Sequence, residues 1–197
     1  IIKDRLLREF KVPSHTGEPV VAYRETVTMP GEGAFVFDRE IGGKRQFARL
    51  VLQVAPRPRK AGVEFECDLP PEKLPVLFRK SAAEGVQDGV MTGVLGHFAV
   101  IDVRITLLAA DFDAHDSTEV AFRTAGVMAF REAVRAARPV LLEPIMALEI
   151  TTPAEHMGDV LADLSARRGK VREMTAQNDL QLIRADVPLA ELFGYAT

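Results

Sequence analysis

Residues 145–187, IMALEITTPAEHMGDVLADLSARRGKVREMTAQNDLQLIRADV, decide the fold class of the carboxyl-terminal part of this chain. Residues 145–150 have strand character. Thr152-Pro153-Ala154-Glu155 reads as a helix start. Proline suits a first turn, where its missing N–H costs nothing, and an acid there complements the positive helix end. The helical pattern runs to Arg168 and stops at Gly169, read as the C′ glycine, with arginines in the last turn. Residues 170–175 and 181–187 form a hairpin pattern around Asn178-Asp179, and residues 188–197 open another helix. The order strand, helix, strand, strand, helix is most of a β-α-β-β-α-β ferredoxin-like unit, truncated before its last strand.

Upstream, Leu141-Leu142-Glu143-Pro144 reads as a hinge between domains. Before it, residues 20–28 have strand composition, Gly31 and Gly33 read as a turn, and residues 34–38 form a short strand. Gly42-Gly43-Lys44-Arg45 is a loop, and residues 47–54 (FARLVLQV) are a strand. A turn at 57–62 leads to the alternating strand 63–69. Leu74, Leu77, Phe78, Ala82 and Val86 make a helical apolar stripe ending near Gly89. A strand at 99–108, a loop at 109–116, an N-cap at Ser117 and a helix at 120–137 follow, the last stopped before Pro139. Both parts are expected to be α+β sandwiches with helices on one side of a sheet. Residues 1–10 place Ile2, Leu6, Leu7 and Phe10 on one helical stripe, and no cap residue precedes Ile1. That pattern predicts a piece of a longer polypeptide.

The 197 residues, 47% hydrophobic and 27% charged, are those of an ordinary globular protein. A net charge of −3 argues against a wholly basic, nucleic-acid-coating protein but leaves room for a local basic surface. Cys67 is the single cysteine, so no disulfide framework exists and a reducing cytoplasm is expected. No apolar run approaches the roughly 20 residues a bilayer span requires, so no membrane partner is expected.

No stretch has the chemistry of a nucleotide site. A P-loop needs two glycines at fixed spacing followed by Lys and Ser or Thr, and Gly42-Gly43-Lys44-Arg45 has neither the spacing nor the hydroxyl. Residues 39–60 hold seven basic residues (Arg39, Lys44, Arg45, Arg49, Arg57, Arg59, Lys60) against one acid, Glu40. That asymmetry suits either a phosphate-facing surface or a solvated loop face. Asp113, His115 and Asp116 are metal-ligating or acid–base residue types, but a loop of this kind defines no geometry for a metal-dependent hydrolase. Arg167, Arg168, Lys170 and Arg172 surround the end of a helix, where cations complement the dipole. Asp102, between Ile101 and Val103, is either a buried polar strand residue or a solvent-facing one.

Several strings, in order, resemble elongation factor G. Residues 1–13 (IIKDRLLREFKVP) look like the close of its third domain, and residues 19–26 (PVVAYRET) like the first strand of its fourth. Asp116-Ser117-Thr118-Glu119-Val120-Ala121-Phe122 resembles a helix start of that domain. Residues 138–146 (RPVLLEPIM) match the junction of domains IV and V. Gly158-Asp159-Val160, Arg167-Arg168-Gly169, Val187-Pro188-Leu189 and residues 193–197 (FGYAT) match domain V.

The resemblance implies three parts: 1–13 ending domain III, 14–141 as a domain IV with a left-handed βαβ crossover, and 142–197 as an incomplete, ferredoxin-like domain V. It implies a monomeric, ribosome-contacting piece of a translational GTPase that catalyses nothing itself, with GTP and Mg bound by an upstream domain of the parent. Gly42, Gly43, Lys44, Arg45, Gln46 and Phe47 then align with one tip loop and Asp113, His115 and Asp116 with a second, both next to transfer RNA and messenger RNA in the decoding centre. Arg167, Arg168 and Lys170 would face ribosomal RNA. The family's tip histidine aligns with Asp113, and Arg45 and Ala48 replace glycines. These departures favour a paralogue acting in recycling, ribosome protection or a specialised translocation step. A free-standing RNA-binding module is the remaining alternative.

Overall fold

A computed structural model of the chain describes Arg8, Phe10, Lys11 and residues 20–195. The amino-terminal helix and connector read in residues 1–19 otherwise lie outside the described residues. Tyr23–Leu142 form one compact unit, and the residues from Glu143 onward belong to a second.

The larger unit holds a four-stranded sheet in the order β2-β3-β5-β4. Its strands are β2 (Gly31–Ile41), β3 (Lys44–Pro56), β4 (Val63–Glu66) and β5 (Val103–Asp111). β2, β3 and β5 are antiparallel neighbours, whereas β4 runs parallel to β5. The connection from β4 to β5 contains helix α1 (Val76–Thr92), so these elements form a βαβ unit. Helix α2 (Glu119–Ala136) packs with α1 on one sheet face. The even positions Ala48, Leu50, Leu52 and Val54 of β3 all point into this core. Phe122 and Phe130 of α2 are its largest buried side chains, and Phe78 stacks on Phe122 at 4.7 Å. A separate two-stranded sheet pairs β1 (Arg24–Val27) with β6 (Pro139–Leu142), where the chain enters and leaves the unit.

Several local expectations are corrected by packing. Gly31 and Gly33 are not a turn but lie within the eleven-residue β2. A Cβ on Gly33 would stand 2.1 Å from the Ala133 nitrogen of α2, so the missing side chain lets helix backbone rest on strand backbone. The helices approach each other in the same way: a Cβ on Gly85 would lie 2.0 Å from the Arg123 carbonyl oxygen. Leu77, expected on the buried stripe of α1, is 53% exposed, whereas Leu74 is buried just ahead of the helix. The strand expected at 99–108 begins only at Val103. Asp102 sits at φ 57° and is buried, its carboxylate accepting from the N–H groups of Lys60 and Gly62. Residues 20–28 supply only the four residues of β1, and Leu141 and Leu142 pair in β6 rather than forming a free hinge.

Glu25 of β1 is a buried acid that no sequence pattern announces. Its carboxylate accepts from the N–H groups of Val94, Leu95, Gly96 and Phe98 at 2.7–3.3 Å, gathering the segment after α1 around one charge. Burial alone would push its pKa up. The N–H groups of Gly96, Val94, Leu95 and Phe98 outweigh that and hold it below the ordinary value.

The smaller unit is a three-stranded antiparallel sheet, order β7-β9-β8, with helix α3 (Met157–Ala166) after β7 (Ile145–Pro153). β8 (Lys170–Gln177) and β9 (Leu180–Pro188) meet at a two-residue turn whose Asn178 has φ 55°. Leu164, Ile183, Ala185 and Val187 are its buried centre. α3 stops two residues earlier than Arg168, and the left-handed residue that closes it is Arg168 (φ 57°), not Gly169. Gly169 N–H donates to the Leu164 carbonyl and Arg168 N–H to that of Ser165, a Schellman closure set one residue ahead of the glycine. After β9, where the sequence predicts a helix over 188–197, the described residues form a 3-10 turn, Leu189–Glu191.

Two stability predictions result. Glu25→Gln is expected to cost about 2–4 kcal/mol, because the single oxygen of a buried amide cannot receive four N–H donors as a carboxylate does. With its folded pKa depressed, the carboxylate stabilises fully above the ordinary range of about 4.3 and loses that contribution as pH falls through the lower folded value. Thermal melts should show an acid-side loss in the wild type that is weaker in Glu25→Gln. Gly33→Ala is expected to lower stability on the order of 3 kcal/mol by lifting α2 off β2, measurable as a shifted urea midpoint.

Candidate nucleic-acid interface

The turn between β2 and β3 is tighter than a four-residue loop. Ile41 pairs with Lys44, so only Gly42 (φ 61°) and Gly43 (φ 76°) lie between the strands. Positive φ at both positions makes a type I′ turn, whose twist matches that of the strands it joins. Lys44 and Arg45 are therefore strand residues.

The second segment, 112–118, leads from β5 into α2. Phe112 is half-buried, 6.0 Å from the Phe78 ring. The Asp113 carboxylate turns back on its own loop, its Oδ1 accepting from the N–H groups of His115 (2.8 Å) and Asp116 (3.0 Å). Those bonds hold the Asp113 pKa below the ordinary value. Ser117, read as the N-cap, is not the cap. Its hydroxyl accepts from Asp113 N–H (2.9 Å) and donates to the Phe47 carbonyl (2.7 Å). Thr118, extended at φ −132°, is the N-cap, with its hydroxyl accepting from Ala121 N–H.

The two segments are thereby fastened together. Phe47 N–H donates to the Asp116 carbonyl at 2.9 Å, and the Thr118 hydroxyl donates to Gln46 Oε1 at 3.0 Å. Arg45 completes the clamp. Its Nε and Nη2 reach the two oxygens of Asp38 at 2.8 and 2.7 Å, Nη1 is 3.4 Å from Asp116, and the guanidinium lies over the Phe47 ring. Arg45 holds Asp38 below the ordinary carboxylate range, and Asp38 pushes Arg45 up in turn. Exposed ion pairs contribute little stability, so the bidentate geometry chiefly fixes orientation.

The excess of basic residues between 39 and 60 is partly cancelled in space. Arg49 meets Asp111 at 2.6 Å, and Arg57 meets Glu64 at 3.4 Å. Arg39 lies 5.8 Å from the Phe37 ring centre. Lys44, Arg59 and Lys60 side chains make no ion pair among the described residues. Among those residues, no three His, Cys, Asp or Glu side chains are grouped to hold a metal ion, and Asp113 and Asp116 are tied up as above.

In the smaller unit, Arg167 binds Asp163 at 2.9 Å, donates to the Glu191 carbonyl and lies over the Tyr195 ring. Arg168 is bidentate on Glu143 (3.0 and 3.1 Å) and also meets Glu191. Lys170 lines a shallow hollow with Glu143 and Asp186.

Sequence reading missed Asp38 and Thr118 as parts of this site, and it placed Ser117 in the second loop without its bond to Phe47. A signal for Asp38 exists. Once Gly42-Gly43 is taken as a two-residue turn, pairing fixes Asp38 opposite Phe47 and diagonal to Arg45 on one face. Ser117 and Thr118 carry no such signal, because their partners Phe47 and Gln46 are remote in sequence.

Known proteins resemble the chain along nearly all of its length. The family model described as "Elongation factor G, domain IV" matches residues 19–138, and that described as "Elongation factor G C-terminus" matches residues 140–197. A crystal structure of a protein from Thermus thermophilus superposes with a TM-score of 0.81 at 33% identity, over 98% of this chain and 29% of that one. This chain thus spans under a third of the length of that relative.

The Asp113 turn makes a measurable prediction. Asp113→Ala should speed amide hydrogen exchange at His115 and Asp116 while leaving the Ile41–Lys44 turn protected.

Proposed function

The chain belongs to the elongation factor G family, and from that membership we propose that it is the ribosome-contacting part of a translational GTPase. In this reading the Gly42-Gly43 turn and the 112–118 segment reach transfer and messenger RNA in the decoding centre during translocation. The matched parts are domain IV and the carboxyl-terminal domain, which lack the family's GTPase site. GTP and Mg belong to an upstream domain of the parent protein, and this part acts as its lever.

The observation that carries the reading is the fastening of two sequence-remote segments into one end of the larger unit, by Phe47–Asp116, Ser117–Phe47 and Thr118–Gln46. A lever needs a tip that does not splay under load. Its paired glycines also leave open space, since nothing lies within 4 Å of a Cβ built at Gly42 or Gly43. RNA backbone can approach closely there. Of the three cations Arg167, Arg168 and Lys170, the arginines are held by acids, and Lys170 is the one with no ion pair among the described residues, the more available to ribosomal RNA.

A second reading, a paralogue acting in recycling or ribosome protection, is favoured by one feature. Asp113 stands where the resemblance places a histidine, and a carboxylate near RNA repels phosphate. Its inward turn reduces that repulsion without removing the charge.

Directed hydroxyl-radical probing tests the first reading. A cleavage reagent on Ala114→Cys, in a Cys67→Ser background of the intact protein, is expected to cut RNA around the decoding centre. Failure of the protein with a GTP analogue to sediment with ribosomes, or cuts confined to other regions, would overturn it. A single-round translocation assay separates the two readings: acceleration supports the translocase, and subunit splitting without translocation supports the paralogue.

A further inference from the structure

Between the two tip segments lies a cleft of about 420 Å³, lined by Gly43, Lys44, Arg45, Gln46, His115, Asp116 and Thr118. Three of these are cationic residue types, and sequence alone ranks Arg45 with Lys44 as a phosphate ligand. The geometry separates them. Arg45 commits its Nε–Nη2 edge to the two oxygens of Asp38 and has Nη1 near Asp116, so the side-on fork is already occupied by a carboxylate. Its single positive charge is also shared between two acids, Asp38 and Asp116. The Lys44 and His115 side chains are exposed and form no hydrogen bond or salt bridge among the described residues. They line one cleft from opposite segments.

We propose that the RNA phosphate at this tip is taken by Lys44 and His115 across the cleft, and that Arg45 is a positioning residue that sets the spacing of the two segments. The proposal rests on the ribosome-contacting reading above and assigns roles within that site. Each element around the cleft contributes to it. Asp116 lies 3.4 Å from the Arg45 guanidinium that is bidentate on Asp38, the Asp113 carboxylate is turned into its own loop, and Gln46 is engaged by Thr118. The cleft therefore presents two available cationic residue types and an exposed glycine backbone, which suits a phosphodiester oxygen. Asp113 also acts indirectly: by bonding the N–H groups of His115 and Asp116, it fixes the backbone from which His115 projects.

The test is ribosome binding by the intact protein at several salt concentrations. Lys44→Gln is expected to weaken binding roughly tenfold and to reduce the slope of log K against log salt by about one, the signature of one lost phosphate contact. His115→Gln should weaken binding several-fold, and neither variant should move the melting temperature. The charge-neutral double variant Asp38→Asn/Arg45→Gln should leave the slope unchanged and speed amide hydrogen exchange at Phe47, whose N–H donates to the Asp116 carbonyl. Comparing vacant small subunits with ribosomes carrying transfer RNA tells ribosomal from transfer RNA phosphate. A slope reduced by the double variant but not by Lys44→Gln, with His115→Gln binding normally, would overturn the assignment while leaving the functional reading intact. Absence of ribosome binding by the wild type would remove both.

Discussion

The close seat of α2 is the constraint on which the larger unit depends. Gly31 and Gly33 on β2, and Gly85 and Gly126 between the helices, sit where any Cβ would meet backbone closer than 3 Å. Small residues on the inner side of α2 (Ala121, Ala125, Ala129, Ala133) continue that seat, and Phe122 and Phe130 fill the spaces left around it. Interiors pack as densely as organic crystals, so a helix lodged this way has one position. The consequence is felt at the start of α2. α2 begins at Thr118, whose side chain caps the helix and reaches Gln46, so the helix that fills the core also aligns the second segment with the first.

Electrostatics act on a shorter scale. Three arginines of the basic stretch are answered by acids, some from distant parts of the chain: Arg45 by Asp38 and Asp116, Arg49 by Asp111, Arg57 by Glu64. Exposed pairs of this kind add little to stability. Their effect is to decide which cations remain available at the surface. The same holds at the end of α3, where Arg167 and Arg168 are bound by Asp163, Glu143 and Glu191. Glu25 is the opposite case, a charge taken out of solvent and held by backbone N–H groups alone.

Much of the architecture was legible from periodicity. The βαββ order of the smaller unit, the Asn178 hairpin, the long helix ending before Pro139 and the strand around FARLVLQV appear in the structure with boundaries shifted by a few residues. The misreadings share a cause. Gly31 and Gly33 look like turn residues because glycine has two uses, conformational freedom and lack of bulk, and only the presence of α2 shows which applies. Ser117 reads as the cap along the chain, but the carbonyl of Phe47 engages its hydroxyl and Thr118 caps α2 instead. Gly169 follows a helix as a C′ glycine should, yet Arg168 takes the left-handed turn while Gly169 closes against Leu164.

By itself the sequence determined the α+β class, the element order, the family resemblance and the two segments singled out as a tip. These rest on local period, turn chemistry and ordered motifs, which operate over a few residues. Only the tertiary structure decided what the charges at the tip do. Asp38 and Asp116 stand 7 and 71 positions from Arg45, and their meeting depends on hairpin register and on where α2 brings its first turn. Charge counted along a chain is additive, whereas charge presented by a surface is what remains after side chains have found partners in space. That difference gives Arg45 carboxylate partners that no count along the chain shows.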